Sequence, residues 1–150
     1  MTTNTTTTDP VDGYIHAVAT ALQAAGFTVR EARAWLSDWP LEGQIELAGP
    51  IAAYPRSREH PVLSWHEEYG WDVGLVHPDR PSNGIQGRRY ARLGVAPTPA
   101  EVVRFVDAWQ YMPTAIGYEA SEQYREAEEE HEDTGEIDRI VLAAYAGGGA

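Results

Sequence analysis

Three consecutive residues, His66, Glu67 and Glu68, carry the densest chemistry in the chain. An imidazole beside two carboxylates can move protons or hold a divalent metal. They stand between Trp65 and Tyr69, at what reads as the tip of a hairpin. Neighbouring residues on a strand point to opposite faces, so His66 and Glu67 reach one ion only if the turn folds them together. The simpler reading makes all three polar turn residues beside two core tryptophans, Trp65 and Trp71, with His66 and Glu67 kept as the candidate metal ligands. His60, His66 and His77 do not repeat at a metal-binding spacing. Ser57 and Ser64 lack the context of a nucleophile elbow, and Gly84 to Gly87 lacks the spacing of a phosphate loop. No acid, base and nucleophile come together, so no catalytic residue and no cofactor is assigned.

Arg88, Arg89 and Arg92 form the basic cluster of the first two-thirds of the chain, and guanidinium forks match carboxylate or phosphate geometry. They are the candidate anion-binding residues. The competing expectation is that they guard the outer face of an edge strand or meet the acidic tail of the same chain. That tail, Glu119 to Asp138, holds the candidate partner-binding carboxylates Glu126, Glu128, Glu129, Glu130, Glu132 and Asp133. It reads either as a solvated, partly helical extension or as a docking surface for a basic partner. The five Trp and eight Tyr residues are read mainly as core, with a ligand pocket between helices and sheet as the alternative.

Composition narrows the classes. The chain has no cysteine, which removes disulfides, thiolate nucleophiles and cysteine-ligated metals. The formal charge of -12 repels phosphate backbones, so non-specific nucleic-acid binding is not expected. Charge is uneven: residues 1–118 carry a net -4 and residues 119–150 a net -8. All eleven cations are arginine, a bias that suggests a GC-rich genome, actinobacterial or of its phage. No stretch approaches the roughly 20 apolar residues of a membrane span, and no leader pattern opens the chain, so a cytoplasmic location is expected.

The elements that must position these residues are legible from periodicity. Val11, Tyr14, Ile15, Val18, Leu22 and Ala25 recur at helical spacing behind the Asp9-Pro10 start, and Gly26 ends that helix. Phe27 and Val29 open a strand that continues to about Leu36. Asp38, Pro40 and Gly43 punctuate a turn before a short half-buried strand over Gln44 to Ala48. Val62 to Val76 reads as a hairpin, with Leu63, Trp65, Trp71, Val73 and Leu75 alternating against polar neighbours and Gly70 suited to the tight connection. A further strand is expected over Arg88 to Leu93, with Tyr90 inward. Thr98-Pro99-Ala100-Glu101 is a capping box that starts a second helix lined by Val102, Phe105, Val106 and Trp109 and ended by Pro113. From Tyr118 to Asp133 the residues are good helix formers but almost all polar, so a helix there has little to bury. Ile137, Ile140, Val141, Leu142 and Tyr145 form an apolar patch beyond it.

The fold class that follows is α+β: an antiparallel sheet of four or five strands with two helices packed on one face and an acidic helical C-terminal tail. The expected organisation is a disordered Thr-rich head over 1–9, the α+β domain over 10–113, an acidic, partly helical extension over 114–146 and a disordered end over 147–150.

The order of elements, the hairpin Leu63-Ser64-Trp65-His66-Glu67-Glu68-Tyr69-Gly70-Trp71 and the helix pattern from Tyr14 to Leu22 together resemble an uncharacterised actinobacterial family known only as a domain of unknown function. In that family the hairpin reads like Leu-x-Trp-Asp-Glu-Glu-x-Gly-Trp, and its closing helix follows a stretch similar to Pro97-Thr98-Pro99. His66 departs from the family pattern, which usually has Asp there. The resemblance spans roughly Val11 to Trp109 and implies host and fold order, but no activity.

Three functional classes remain. The preferred expectation is a non-catalytic interaction or accessory protein, contacting a protein partner through its sheet or tail. The second is an acidic nucleic-acid mimic acting against a DNA-binding or defence protein. The third is a small-ligand binder or enzyme built on His66, Glu67 and Arg89.

Overall fold

The computed structural model describes residues 9–37, 40–127 and 135–148. The Thr-rich head over 1–8, Asp38 of the expected turn, the tail carboxylates Glu128, Glu129, Glu130, Glu132 and Asp133, and the last two residues lie outside the described residues. The elements run α1 (Pro10–Ala24), β1 (Val29–Trp35), β2 (Glu42–Leu47), β3 (His60–His66), β4 (Gly70–Val76), β5 (Gln86–Tyr90), α2 (Pro99–Tyr111) and α3 (Gly135–Gly148). The five strands form one antiparallel sheet in sequence order, which makes the fold α+β.

Helix α1 starts where Asp9 accepts the Val11 N–H at 2.8 Å, and Pro10 occupies the position where its missing donor costs nothing. It ends at Gly26, whose φ of +104° lets the Phe27 amide reach the Leu22 carbonyl and the Gly26 amide reach Gln23. The stripe Val11, Tyr14, Ile15, Val18, Ala19 and Leu22 is buried, and α1 lies against β1, β2, α2 and α3. Thr98 and Glu101 form the reciprocal capping box at the start of α2, with the Thr98 amide 2.9 Å from the Glu101 carboxylate.

Register explains why one face of the sheet is core. Ile45 stands opposite Leu63 and Leu63 opposite Val73, while Gly43, Trp65 and Trp71 align in the next row. All of these side chains are buried. The sequence pattern placed Gly43 in a turn, but it lies within β2. A Cβ there would stand 2.5 Å from Ile15 Cδ1, so the missing side chain is what lets α1 seat on the strand. Trp65 and Trp71 lie beneath Tyr14, which takes a 3.0 Å hydrogen bond from the Trp71 indole and donates at 2.5 Å to the Pro97 carbonyl. Trp65 donates at 2.6 Å to the Val95 carbonyl. Each buried indole N–H of this pair is therefore satisfied, as burial demands.

The chain after α2 differs from the expected polar helix. Residues 118–127 contain no helix. Tyr118 instead forms a bridge to Tyr90 at the end of β5, and Tyr124 donates to the Glu68 carbonyl at 2.8 Å. A polar segment gains more from backbone bonds to an existing surface than from an isolated helix with nothing to bury. The C-terminal helix comes later, where the apolar patch sits: Ile137, Val141 and Ala144 are buried and α3 lies against α1 and α2. It runs to Gly148, past the boundary at residue 146 drawn from composition and into the expected disordered end.

Candidate functional site

On the face of the sheet opposite the tryptophans, cross-strand neighbours make a row of Gln44, Ser64, Asp72 and Tyr90. A second row begins with Trp35 opposite Glu42 and continues to His66. Together they floor a groove of about 570 Å³ that crosses the strands and is bounded at one end by Ser121 from the segment after α2. Strand periodicity turns the strand residues to this face, because residues two apart share a face, and the register of the strands aligns them. The groove is within the size range of ligand pockets, about 300–1,000 Å³, although its lining is polar.

At the β4–β5 end, Arg88 donates at 2.8 Å to Asp72. Burial pushes the Asp72 carboxyl up to about 6, against the opposing pull of the Arg88 charge and hydrogen bond. His66 presents its ring to the groove, tilted 45° against Tyr69 with 4.7 Å between ring centres. Its Nδ1 accepts the Glu68 amide at 3.0 Å, which puts the proton of the neutral ring on Nε2. Trp35 is 41% exposed at the rim. The side chains of Gln44, Ser64 and Tyr90 are half-buried yet make no hydrogen bond to any described residue. That leaves donors and acceptors pointing into the groove with unspent capacity.

The hairpin tip separates Glu67 from His66, while Glu68 stays 3.9 Å from the His66 ring. Glu67 turns away from His66 and is fully buried. Its carboxylate accepts the Leu41 amide at 2.7 Å and pairs with Arg125, whose guanidinium also reaches Glu136 of α3 at 3.0 Å. The candidate metal pair His66 and Glu67 therefore points to opposite sides of the sheet. Glu67 stands in the turn, as read, but buried rather than at the surface, and Arg125 supplies the opposite charge that makes its burial tolerable. Glu68 is only partly exposed, accepting from Gln123 at 3.1 Å and from the Ala127 amide at 3.0 Å. Among the described residues no group of three His, Asp or Glu side chains is placed to hold a metal ion.

The arginine cluster also splits. Arg88 faces the groove, whereas Arg89 donates to the Ile116 and Gly117 carbonyls at 3.0 and 2.8 Å, with Glu119 3.7 Å away. Arg92 donates to Ala120 at 3.1 Å and lies over the Tyr118 ring. Two of the three candidate anion ligands thus meet the segment after α2. Of the candidate tail carboxylates, Glu126 is described, and it is exposed. Asp72, Gln44 and Tyr90 were not singled out as site residues. The signal available for them was polar alternation on strands whose other face is apolar.

The fold and groove define an α+β protein with a five-stranded antiparallel meander, helix α1 against its apolar face and a polar groove on the other. The chain belongs to a family of unknown function (DUF6292), whose model matches residues 14–108. That span runs from α1 into α2 and contains every groove residue named above except Ser121, while Arg125 and α3 lie beyond it. No curated protein and no solved structure matches the chain. No helix among the described residues is long and apolar enough to cross a membrane.

Proposed function

We propose that this is a non-catalytic interaction protein that holds a protein partner on the grooved face of its sheet. The observation that carries the reading is the row Gln44, Ser64 and Tyr90, whose half-buried polar groups have no partner within the described chain. A bound surface that supplies their hydrogen bonds replaces groove water at a modest net gain per bond and fixes the register of the partner. The exposed Trp35 at the rim adds the kind of rigid aromatic contact that anchors interfaces. No described serine or threonine hydroxyl donates to a histidine, which favours binding over nucleophilic catalysis. The all-arginine cation set supports an actinobacterial or phage source, and the cysteine-free composition supports work in the cytoplasm.

The test is site-specific photocrosslinking in the native host from a benzophenone side chain at Gln44, compared with one at Arg104 on α2. One recurrent protein captured from Gln44 and not from Arg104 is the expected result, with capture abolished by Ser64→Trp, which fills the groove. Equal capture from both positions, or capture indifferent to Ser64→Trp, would overturn the proposal.

A further inference from the structure

The two edges of the sheet are finished differently. At β5 the chain closes its own edge: Tyr90 and Tyr118 exchange backbone hydrogen bonds of 2.8 and 2.9 Å, and Arg89 ties down the carbonyls beside them. At β1 no described backbone group bonds to the outer side of the strand. An open edge is a template for another strand. The core is also unfinished there. Phe27, Val29, Ala32, Ala34 and Leu36, on β1 and its flanks, pack against the core but remain only partly buried. On the opposite face the same strand carries Glu31, Arg33 and Trp35, all exposed.

We propose that the occupant of this edge is a second copy of the chain, laid antiparallel along β1 with Ala32 on the twofold axis. The charge pattern argues for a second copy as the occupant and against registers centred on either charge. Pairing about Ala32 sets Glu31 of each copy opposite Arg33 of the other, so opposite charges meet twice on one face. Centring the axis on Glu31 or on Arg33 instead sets like charges against each other at that centre. In the chosen register the core-facing Ala32 side chains of the two copies meet at the axis, and the bulge between Val29 and Glu31 ends regular pairing beyond the Glu31–Arg33 contacts. The result is a continuous ten-stranded sheet with an isologous interface, the commonest symmetry of homo-oligomers. Within one copy, Glu31 and Arg33 stand 3.6 Å apart as half-exposed side chains. Such a surface pair is worth little and is readily exchanged for contacts across the axis. The net charge of -12 on each copy opposes association, so the contact is salt-dependent and strengthens at physiological ionic strength, where charges are screened beyond about 8 Å. A single strand pair is a small interface, which places the dimer among weak, reversible ones.

Sedimentation of the full chain over a wide concentration range at physiological ionic strength tests this. A reversible monomer–dimer equilibrium is expected. Glu31→Arg alone and Arg33→Glu alone each weaken it by about tenfold or more, because each sets like charges opposite one another twice. The double exchange Glu31→Arg with Arg33→Glu restores it, since the pattern is again self-complementary. The absence of cysteine supplies an independent check. Opposed Cα atoms in an antiparallel pair are about 4.5–5.5 Å apart, within disulfide reach, so Ala32→Cys forms a covalent dimer on mild oxidation and Ala34→Cys does not. A chain that stays monomeric throughout, a dimer indifferent to the single reversals, or equal crosslinking at positions 32 and 34 would overturn the proposal. So would an Ala32→Cys chain that is captured only by a strand of another protein.

Discussion

Glu67 and Asp72 flank one hairpin turn and each pairs with an arginine, yet the two pairs do opposite things. Glu67 and Arg125 have side-chain exposures of 0% and 9%, and their remaining bonds go to Leu41 and Glu136. The contacts of that pair tie the residue before β2, the segment after α2 and the start of α3 to the hairpin. Asp72 and Arg88 have side-chain exposures of 10% and 40% and sit on the floor of a groove beside unpartnered Gln44 and Ser64. The same chemistry is a structural clamp on one side of the sheet and an accessible ion pair on the other. What separates them is how many other groups of the chain converge on each.

Arg125→Ala should show the largest effect, because it strands a fully buried carboxylate. A loss of about 3–5 kcal/mol in unfolding free energy is expected, read by denaturant titration. A loss under 1 kcal/mol would show that the clamp is no more than a surface contact. The second prediction concerns Asp72. Its folded pKa of about 6 lies above the ordinary carboxylate value, so between about pH 4 and pH 6 the folded state binds more proton than the unfolded one. Stability from this group is therefore present at low pH and lost as pH rises through 6. The difference in unfolding free energy between the parent and Asp72→Asn should fall by roughly 2 kcal/mol from pH 4 to pH 7. A flat difference would mean that Arg88 and solvent leave the carboxyl unperturbed. The smallest effect belongs to Glu119→Ala: its carboxylate is 91% exposed and 3.7 Å from Arg89. A change within about 0.5 kcal/mol is expected from thermal unfolding, since exposed ion pairs contribute little.

Local signals in the sequence were enough for α1, the β3–β4 hairpin and the capping box of α2, because each depends on residues within a few positions of one another. Asp9, Gly26, Gly70 and Thr98 act on their own neighbours, and they stand where the pattern placed them. The burial of Trp65 and Trp71 was legible for the same reason, as alternation within two short strands. Glu67 was not legible. Its partner lies 58 residues along the chain, in a stretch whose composition signals only solvent-facing charge. The groove was half legible: polar alternation marks Ser64, His66 and Asp72 as facing away from the tryptophans, but their alignment with Gln44 and Tyr90 depends on the register of four strands.

By itself the sequence determined α1, the β3–β4 hairpin and the capped start of α2, and which face of each is apolar. Those choices are made by backbone sterics, capping and periodicity over a few residues. Only the tertiary structure decided that one carboxylate at the hairpin tip is fully buried while the next stays partly exposed, that Arg89 and Arg92 meet the chain's own carbonyls, and that one sheet edge is closed and the other left open. Each of these depends on groups far apart in the chain arriving at one place, and burial and the strength of a charge pair are properties of that meeting.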